Sequence, residues 1–297
     1  MTDVFDQDDV RALVELALKE DLGAEGDVTA RILPETATAH GDVVARVDGT
    51  IAGLPLAAAV LARVEPRARW DARVRDGTRV KKQDVLARVE GPARGVLAAE
   101  RTLLNFLQRL SGIATATRRF ADAVAGTGAK VYDTRKTPPG WRTLAKYAVR
   151  MGGGANHRIG LFDQVLVKDN HLAIFGGEQG IPRAVAESRR VAPKGTRIEI
   201  EVTTQDGALS AARAGADIVL LDNFAPDALA QAVRAVKDDA RARGKPAPEL
   251  EASGGINIDN VRAYAQTGVD RVSVGWITHS APALDLALDL DIERGRT

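Results

Sequence analysis

The side chains best suited to chemistry in this chain are five cations, Arg135, Lys136, His157, Arg158 and Lys168, and two carboxylates, Glu201 and Asp222. Like charges within a few ångströms repel, so a cluster of cations is costly to hold unless anions share it. Arginine in particular recognises carboxylates and phosphates through two parallel hydrogen bonds. If the five converge, they form a pocket for a strongly anionic, phosphorylated ligand. The bland alternative is a solvated basic face, and the glycine- and proline-rich setting of Asp133-Thr134-Arg135-Lys136-Thr137-Pro138-Pro139-Gly140 and of Gly152 to Arg158 weighs against it. Paired carboxylates beside phosphate binders commonly hold Mg²⁺, often through the waters that this ion retains. The other readings of Glu201 and Asp222 are a general acid/base pair and a salt bridge to Lys168. The basic surroundings favour metal or ribose hydroxyls. Ser253-Gly254-Gly255 leads through a glycine turn into a helix start, where backbone N–H groups can bind an anion. With Val274-Gly275 it has the form of the late-strand phosphate site of many β/α barrels.

These residues can meet only if parallel strands carry them to one edge. From about residue 129, short apolar runs alternate with helical stretches, the signature of βαβ units. The runs cover 129–132, 164–167, 197–202, 217–221, 249–252 and 271–274. They end in Asp133-Thr134-Arg135-Lys136, Lys168-Asp169-Asn170, Glu201, Asp222-Asn223, Ser253-Gly254-Gly255 and Gly275. In a parallel barrel such ends ring one mouth, where the chemistry of these folds is kept. Helix capping accounts for Asp222 or Ser253 taken singly, but not for all six ends together. By strand alternation Glu199 shares a face with Glu201, and Glu251 with Ser253. Buried unpaired, such carboxylates are expensive, so one or both are expected to pair with Lys168.

Upstream, residues 8–22 place Val10, Leu13, Val14, Leu16, Ala17 and Leu18 along one side of a helix that Gly23 caps. Asp48-Gly49 and Asp76-Gly77 stand between apolar runs and predict hairpins over 42–54 and 72–80, with a further strand over 84–89. A long helix over 98–125 is expected to break near Gly112. This divides the chain into an N-terminal helix and antiparallel-sheet domain (1–112) and a β/α barrel catalytic domain (113–276). The tail 283–292 alternates with period two and predicts a strand. It is expected to leave the barrel, so that 277–297 joins the N-terminal sheet.

The totals narrow the function. Of 297 residues, 45% are hydrophobic and 27% charged, as in ordinary globular proteins. The absence of cysteine excludes disulfide frameworks, thiolate metal sites and cysteine nucleophiles, and fits a cytoplasmic setting. The acidic segment 1–9 does not have the form of a signal peptide, and no apolar run reaches membrane-spanning length. A net charge of +1, from 41 basic and 40 acidic residues, argues against nucleic acid as the partner and for a small substrate.

Taken together, Glu20-Asp21-Leu22-Gly23 with Gly26-Asp27-Val28-Thr29, Glu100-Arg101-Thr102-Leu103-Leu104-Asn105, Asp133 to Pro138, Gly153 to Arg158, Val167 to His171, Glu199-Ile200-Glu201, Leu221 to Phe224, Glu251 to Gly255, and Ser273-Val274-Gly275 with His279 are similar to the quinolinate phosphoribosyltransferases. The resemblance runs from near residue 20 to near 280. One departure is Trp276, where the pattern leads to a small residue. The resemblance implies an α+β sandwich N-terminal domain and an incomplete, seven-stranded β/α barrel. It also implies a homodimer in which Arg101 reaches the neighbouring subunit's site. On the same ground Thr134, Arg135, Lys136, His157, Arg158 and Lys168 would bind the two carboxylates of quinolinate and the diphosphate of phosphoribosyl pyrophosphate. Glu201 and Asp222 would serve the ribose hydroxyls and Mg²⁺, and Lys136, Lys168, Glu201 and Asp222 would be the catalytic set. Ser253, Gly254, Gly255, Val274, Gly275, Trp276 and His279 would hold the ribose phosphate. The implied reaction is a decarboxylating pentosyl transfer in NAD biosynthesis. Its rivals are a phosphoribosyltransferase of the same fold for another ring (nicotinate, or the molybdenum-transport-associated relative) and a non-catalytic phosphate- or RNA-binding protein. Arg101, Arg135 and Arg158, as cations for a second carboxylate, favour quinolinate.

Overall fold

Spacing of apolar residues sets the first helix of the computed structural model, which describes residues 4–293. Helix α1 (Asp8–Leu22) buries Val10, Val14 and Leu18, one row at i, i+4, i+8. Asp8 and Asp9 face the positive end of its dipole, and Gly23 takes φ +54° to end it. The outermost residues of the segments 1–9 and 277–297 lie outside the described residues.

The chain divides into two units, the first made of residues up to 118, Thr137–Gly153 and those from 277 on, the second of Arg119–Lys136 and Gly154–Trp276. In the first unit follow β1 (Thr38–Ala45), β2 (Gly49–Thr50), α2 (Leu54–Val64), β3 (Arg69–Ala72), β4 (Arg79–Val80), β5 (Val85–Pro92), the start of α3 (Ala93–Ala123), α4 (Arg142–Met151) and, at the far end, β12 (Leu286–Glu293). Its main sheet has the order β12-β1-β5-β3, antiparallel throughout. The period-two tail is therefore β12, paired along the whole of β1 from Thr38↔Glu293 to Ala45↔Leu286.

The fold departs from three local expectations. Neither Asp-Gly turn closes a hairpin between its flanking runs; instead β2 pairs with β4. The reason is where the aspartates bond. Asp48 accepts from Lys81 Nζ at 2.8 Å and from the Lys82 N–H at 2.9 Å. Asp76 accepts from the N–H groups of Gly53 and Leu54 at 2.7 and 3.1 Å, capping α2 from a distance. That helix, which buries Leu54, Leu56, Ala57, Val60 and Leu61, starts where a strand was expected. Third, α3 runs unbroken through Gly112 for 31 residues. Gly112 serves close approach rather than a break, because a Cβ there would stand 2.0 Å from the Pro282 carbonyl oxygen.

The second unit alternates strands and helices: β6 (Lys130–Tyr132), β7 (Val165–Val167), α5 (Asp169–Ile174), α6 (Ile181–Val191), β8 (Ile198–Val202), α7 (Gln205–Ala214), β9 (Ile218–Asp222), α8 (Pro226–Ala242), β10 (Glu249–Ser253), α9 (Val261–Ala265) and β11 (Arg271–Ser273), with α10 (Trp276–His279) starting at its last residue. Strand β9 is apolar on both faces up to Asp222, as a parallel sheet under helices requires, whereas β8 turns Ile198, Ile200 and Val202 one way and Glu199 and Glu201 the other. The order β6-β11-β10-β9-β8-β7 is parallel throughout and is that of a barrel left open between β6 and β7. The sheet has six strands rather than the seven implied by resemblance. Beside β6 there is instead a single parallel bridge, Tyr132↔Ala155. It stops after one pair because Asp133 captures the next two residues, accepting from Asn156 Nδ2 at 2.7 Å and the His157 N–H at 2.8 Å.

Candidate active site at the strand ends

Since all six strands run the same way, their carboxyl ends share one edge, with Ser253 level with Asp222 and Ser273 level with Tyr132. A cavity of about 180 Å³ opens there within the second unit. It is lined by Thr134, Arg135, Lys136, His157, Arg158, Leu166, Lys168, Leu220, Glu251, Ser253 and Ser273. The five expected cationic positions thus do converge. Thr134 fixes the first loop by accepting the Lys136 N–H at 3.0 Å. Burial, and then the adjacent Arg135 charge, hold the Arg158 guanidinium below its ordinary range, while Glu199 and Asp163 oppose the shift. Arg135 Nε is buried without a hydrogen-bond partner. A donor left so, beside a second desolvated guanidinium, is the state an anion would relieve.

His157 differs from the other four. Its Nδ1 accepts the Arg158 N–H at 2.8 Å, which puts the ring proton on Nε2. Nε2 lies 3.0 Å from Glu199 Oε2 and 3.5 Å from Glu251 Oε1. Both carboxylates are fully buried, and neither pairs with Lys168 as expected. Glu199 takes a hydrogen bond from Gln164 Nε2 at 2.5 Å. Glu251 takes one from Ser273 Oγ and faces Arg271 Nε at 3.2 Å. Lys168 pairs with Glu201 instead. It precedes α5 in an extended conformation at the mouth, while Glu199 and Glu251 lie one pleat deeper. Arg271 sits with its Cζ 3.9 Å from the Tyr132 ring centroid. Burial first, and then the Glu199 charge, push Glu251 up to about 7, against the pull of His157, Arg271 and Ser273.

The ligand atoms of His157, Glu199 and Glu251 all lie within 4.8 Å of one another, close enough for a metal ion. The trio suits Mg²⁺ poorly: it includes an imidazole, is shut off from solvent, and is already met by Arg271 and Gln164. Glu201 and Asp222 offer the hard oxygens Mg²⁺ prefers on one edge, although Lys168 already neutralises Glu201. Asp222 accepts from Asn223 Nδ2 at 2.6 Å. Asn223 takes φ +58° and Gly254 φ +95°, and a Cβ on Gly254 would lie 2.2 Å from Asn223 Oδ1. Gly255 turns at φ +61°, and its carbonyl accepts from Asn260 Nδ2 at 3.1 Å. Val274 is buried and bonds to the Tyr132 carbonyl at 2.9 Å. Trp276 is partly exposed, 6.1 Å from the Phe120 ring. Glu201, Asp222, Gly254, Gly255, Val274, Gly275 and Trp276 occupy this edge without lining the cavity. Arg101, exposed on α3, and His279, with Nδ1 2.5 Å from Ser280 Oγ, belong to the first unit, so the second unit alone does not bring them in.

Sequence reasoning passed over Gln164, Arg271 and Ser273. A signal was there: Arg271 and Ser273 alternate in β11 as Glu199 and Glu201 do in β8, so both strands carry polar residues on the face that a barrel turns inward.

Residues 113–289 match the model of the quinolinate phosphoribosyl transferase C-terminal domain, and residues 27–111 that of the N-terminal domain. The chain is 43% identical over 286 residues to the nicotinate-nucleotide pyrophosphorylase [carboxylating] of Mycobacterium leprae, covering 95% of this chain and 98% of that one. It is 36% identical to a probable enzyme of the same name from Bacillus subtilis, over 92% and 90% of the two chains. The solved nicotinate-nucleotide pyrophosphorylase of Francisella tularensis superposes with a TM-score of 0.86 at 39% identity, covering 96% of each chain.

Proposed function

Because the chain belongs to the quinolinate phosphoribosyltransferase family, we propose that it joins quinolinate to phosphoribosyl pyrophosphate, giving nicotinate mononucleotide, diphosphate and CO₂ for NAD synthesis. The observation that carries this is the cavity itself. Arg135, Lys136, Arg158 and Lys168 surround it, and one guanidinium nitrogen has no partner within the chain. A ring with two carboxylates would meet Arg135 and Arg158, and a diphosphate adds negative charge suited to the same cavity.

In this reading Arg135 and Arg158 grip the two carboxylates, and Lys136 and Lys168 meet the diphosphate as it leaves. The nucleophile is the pyridine nitrogen, so the protein needs no serine, cysteine or general base to form the bond; it positions the reactants and supplies charge. Glu201 and Asp222 take the ribose hydroxyls and would hold Mg²⁺. When bound, that ion neutralises charge on the departing diphosphate. Ser253, Gly254, Gly255, Val274, Gly275, Trp276 and His279 hold the ribose phosphate.

The proposal extends to a cytoplasmic homodimer in which Arg101 of one copy completes the other's site. In support, Arg101 is exposed on α3 while the neighbouring Ala99, Thr102, Leu103 and Leu104 are buried. Among the described residues no helix is long and apolar enough to cross a membrane. A functional boundary near residue 112 remains part of the proposal, supported by the two family models meeting at 111 and 113.

The test is turnover of quinolinate with phosphoribosyl pyrophosphate and Mg²⁺, run beside nicotinate. Nucleotide and CO₂ from quinolinate alone are expected. Nucleotide from nicotinate without CO₂ would overturn the two-carboxylate reading of the arginines.

A further inference from the structure

Glu251 has no role in the reaction as set out above, yet it lies on the floor of the cavity beside Ser273. It is 0% exposed, and its Oε1 is in close hydrogen-bond contact with the Ser273 hydroxyl. The charged and titratable groups facing it are Glu199 from β8, His157 from the β6–β7 connection and Arg271 from β11. On β9 its level neighbour is Leu220, which is apolar. Two carboxylates, one imidazole N–H and one guanidinium therefore share a space closed to solvent. Glu251 keeps its proton up to about pH 7 there, first through burial and then through Glu199. A dianionic ring entering the cavity raises that proton affinity further, since nearby negative charge disfavours ionisation.

The reaction needs such a proton. Loss of CO₂ leaves an electron pair on the ring carbon, and the arginines that grip the ring do not give up protons. We propose that Glu251 and Ser273 form the relay that protonates this carbanion. The inference rests on the quinolinate reading. The bond between the ring carbon and the carboxylate breaks, CO₂ leaves, and the electron pair stays on the ring. The Ser273 O–H gives its proton to that carbon while Oγ takes one from the Glu251 carboxyl. Glu251 is left ionised against Arg271 and His157, and it recovers its proton from water after product leaves. With Glu251 protonated, its own O–H points to Ser273 Oγ, and the serine hydrogen is free to turn toward the cavity that both line.

The test is single-turnover kinetics with quinolinate, phosphoribosyl pyrophosphate and Mg²⁺, following diphosphate and nicotinate mononucleotide separately. Glu251→Gln is expected to keep diphosphate release within about threefold of the unmodified enzyme and to slow nucleotide formation by about 10²-fold, the usual worth of general acid catalysis. In the unmodified enzyme, nucleotide formation should fall above about pH 7, and this limb should vanish in Glu251→Gln. Ser273→Ala removes one hydroxyl and gives the same split between the two steps, so it carries the test if Glu251→Gln fails to fold. Equal slowing of both steps, or slowing of neither, overturns the relay. No CO₂ from quinolinate with the unmodified enzyme overturns the functional reading beneath it.

Discussion

Arg158 and Lys168 face one cavity in different company. Lys168 has Glu201 beside it, whereas Arg158 is partly desolvated next to another guanidinium. Replacing Arg158 by Ala should therefore act in opposite directions on stability and on binding. Without ligand, relief of the Arg135 repulsion should leave the melting temperature unchanged or raised. With quinolinate, loss of a partner to a buried carboxylate costs about 3 kcal/mol, so KM should rise about 10²-fold or more. A lower melting temperature with unchanged KM would mean that the cluster exists for the fold. Lys168→Ala leaves Glu201 without its cation and should weaken binding too, read by titration with phosphoribosyl pyrophosphate. Glu251 makes a prediction about pH. Its folded value of about 7 lies above the ordinary 4.5, so the unfolded chain releases this proton first as pH rises. The stability it contributes is fully present below about pH 4.5 and is lost as pH climbs to about 7. At 1.36 kcal/mol per unit this amounts to about 3 kcal/mol. Denaturant midpoints at pH 5 and pH 8 should converge in Glu251→Gln; an unchanged slope would put the proton elsewhere.

At the scale of elements, two glycines show how local preference yields to contact. In the interior of α3, Gly112→Ala would gain about 1 kcal/mol of helix propensity. The new Cβ would press to 2.0 Å from the Pro282 oxygen, so the backbone must shift and the variant should be net destabilised by about 2 kcal/mol. A rise in the denaturant midpoint would show the glycine to be dispensable. Gly254→Ala meets both a positive φ and the Asn223 side chain, and should lose phosphate affinity as well as stability. The second unit's strands were legible because β9 is buried on both faces and reads as an apolar run up to Asp222, while β8 alternates Ile198, Ile200 and Val202 with Glu199 and Glu201. The sequence was less informative for the first unit. Asp48 and Asp76 look like hairpin turns, and only the remote partners of their carboxylates show otherwise. Leu54 to Val64 could be a buried strand or a helix until Asp76 is seen capping it. At the site, the loop cations were readable from their types. The roles of Arg271 and Ser273 required knowing which face of β11 turns inward.

At the scale of the molecule, the proposed shared site can be tested by mixing. Arg101→Ala and Lys168→Ala should each be nearly inactive while remaining dimeric. Reassembled together after denaturation, they should recover about a quarter of the native activity, since half the dimers are mixed and each carries one intact site. No recovery would place both residues in a single copy's site. The pairing of β12 with β1 has a different kind of consequence. It joins Thr38 to Glu293, so a protein made from its amino end must carry β1 with one edge bare until residues 286–293 have been made. An unpaired edge invites strands from other chains. Contacts so distant in sequence also form late and slowly. Emergence of the β12 segment from the ribosome thus sets when the first sheet can be completed, and a chain stalled before residue 286 would leave the ribosome with that edge exposed.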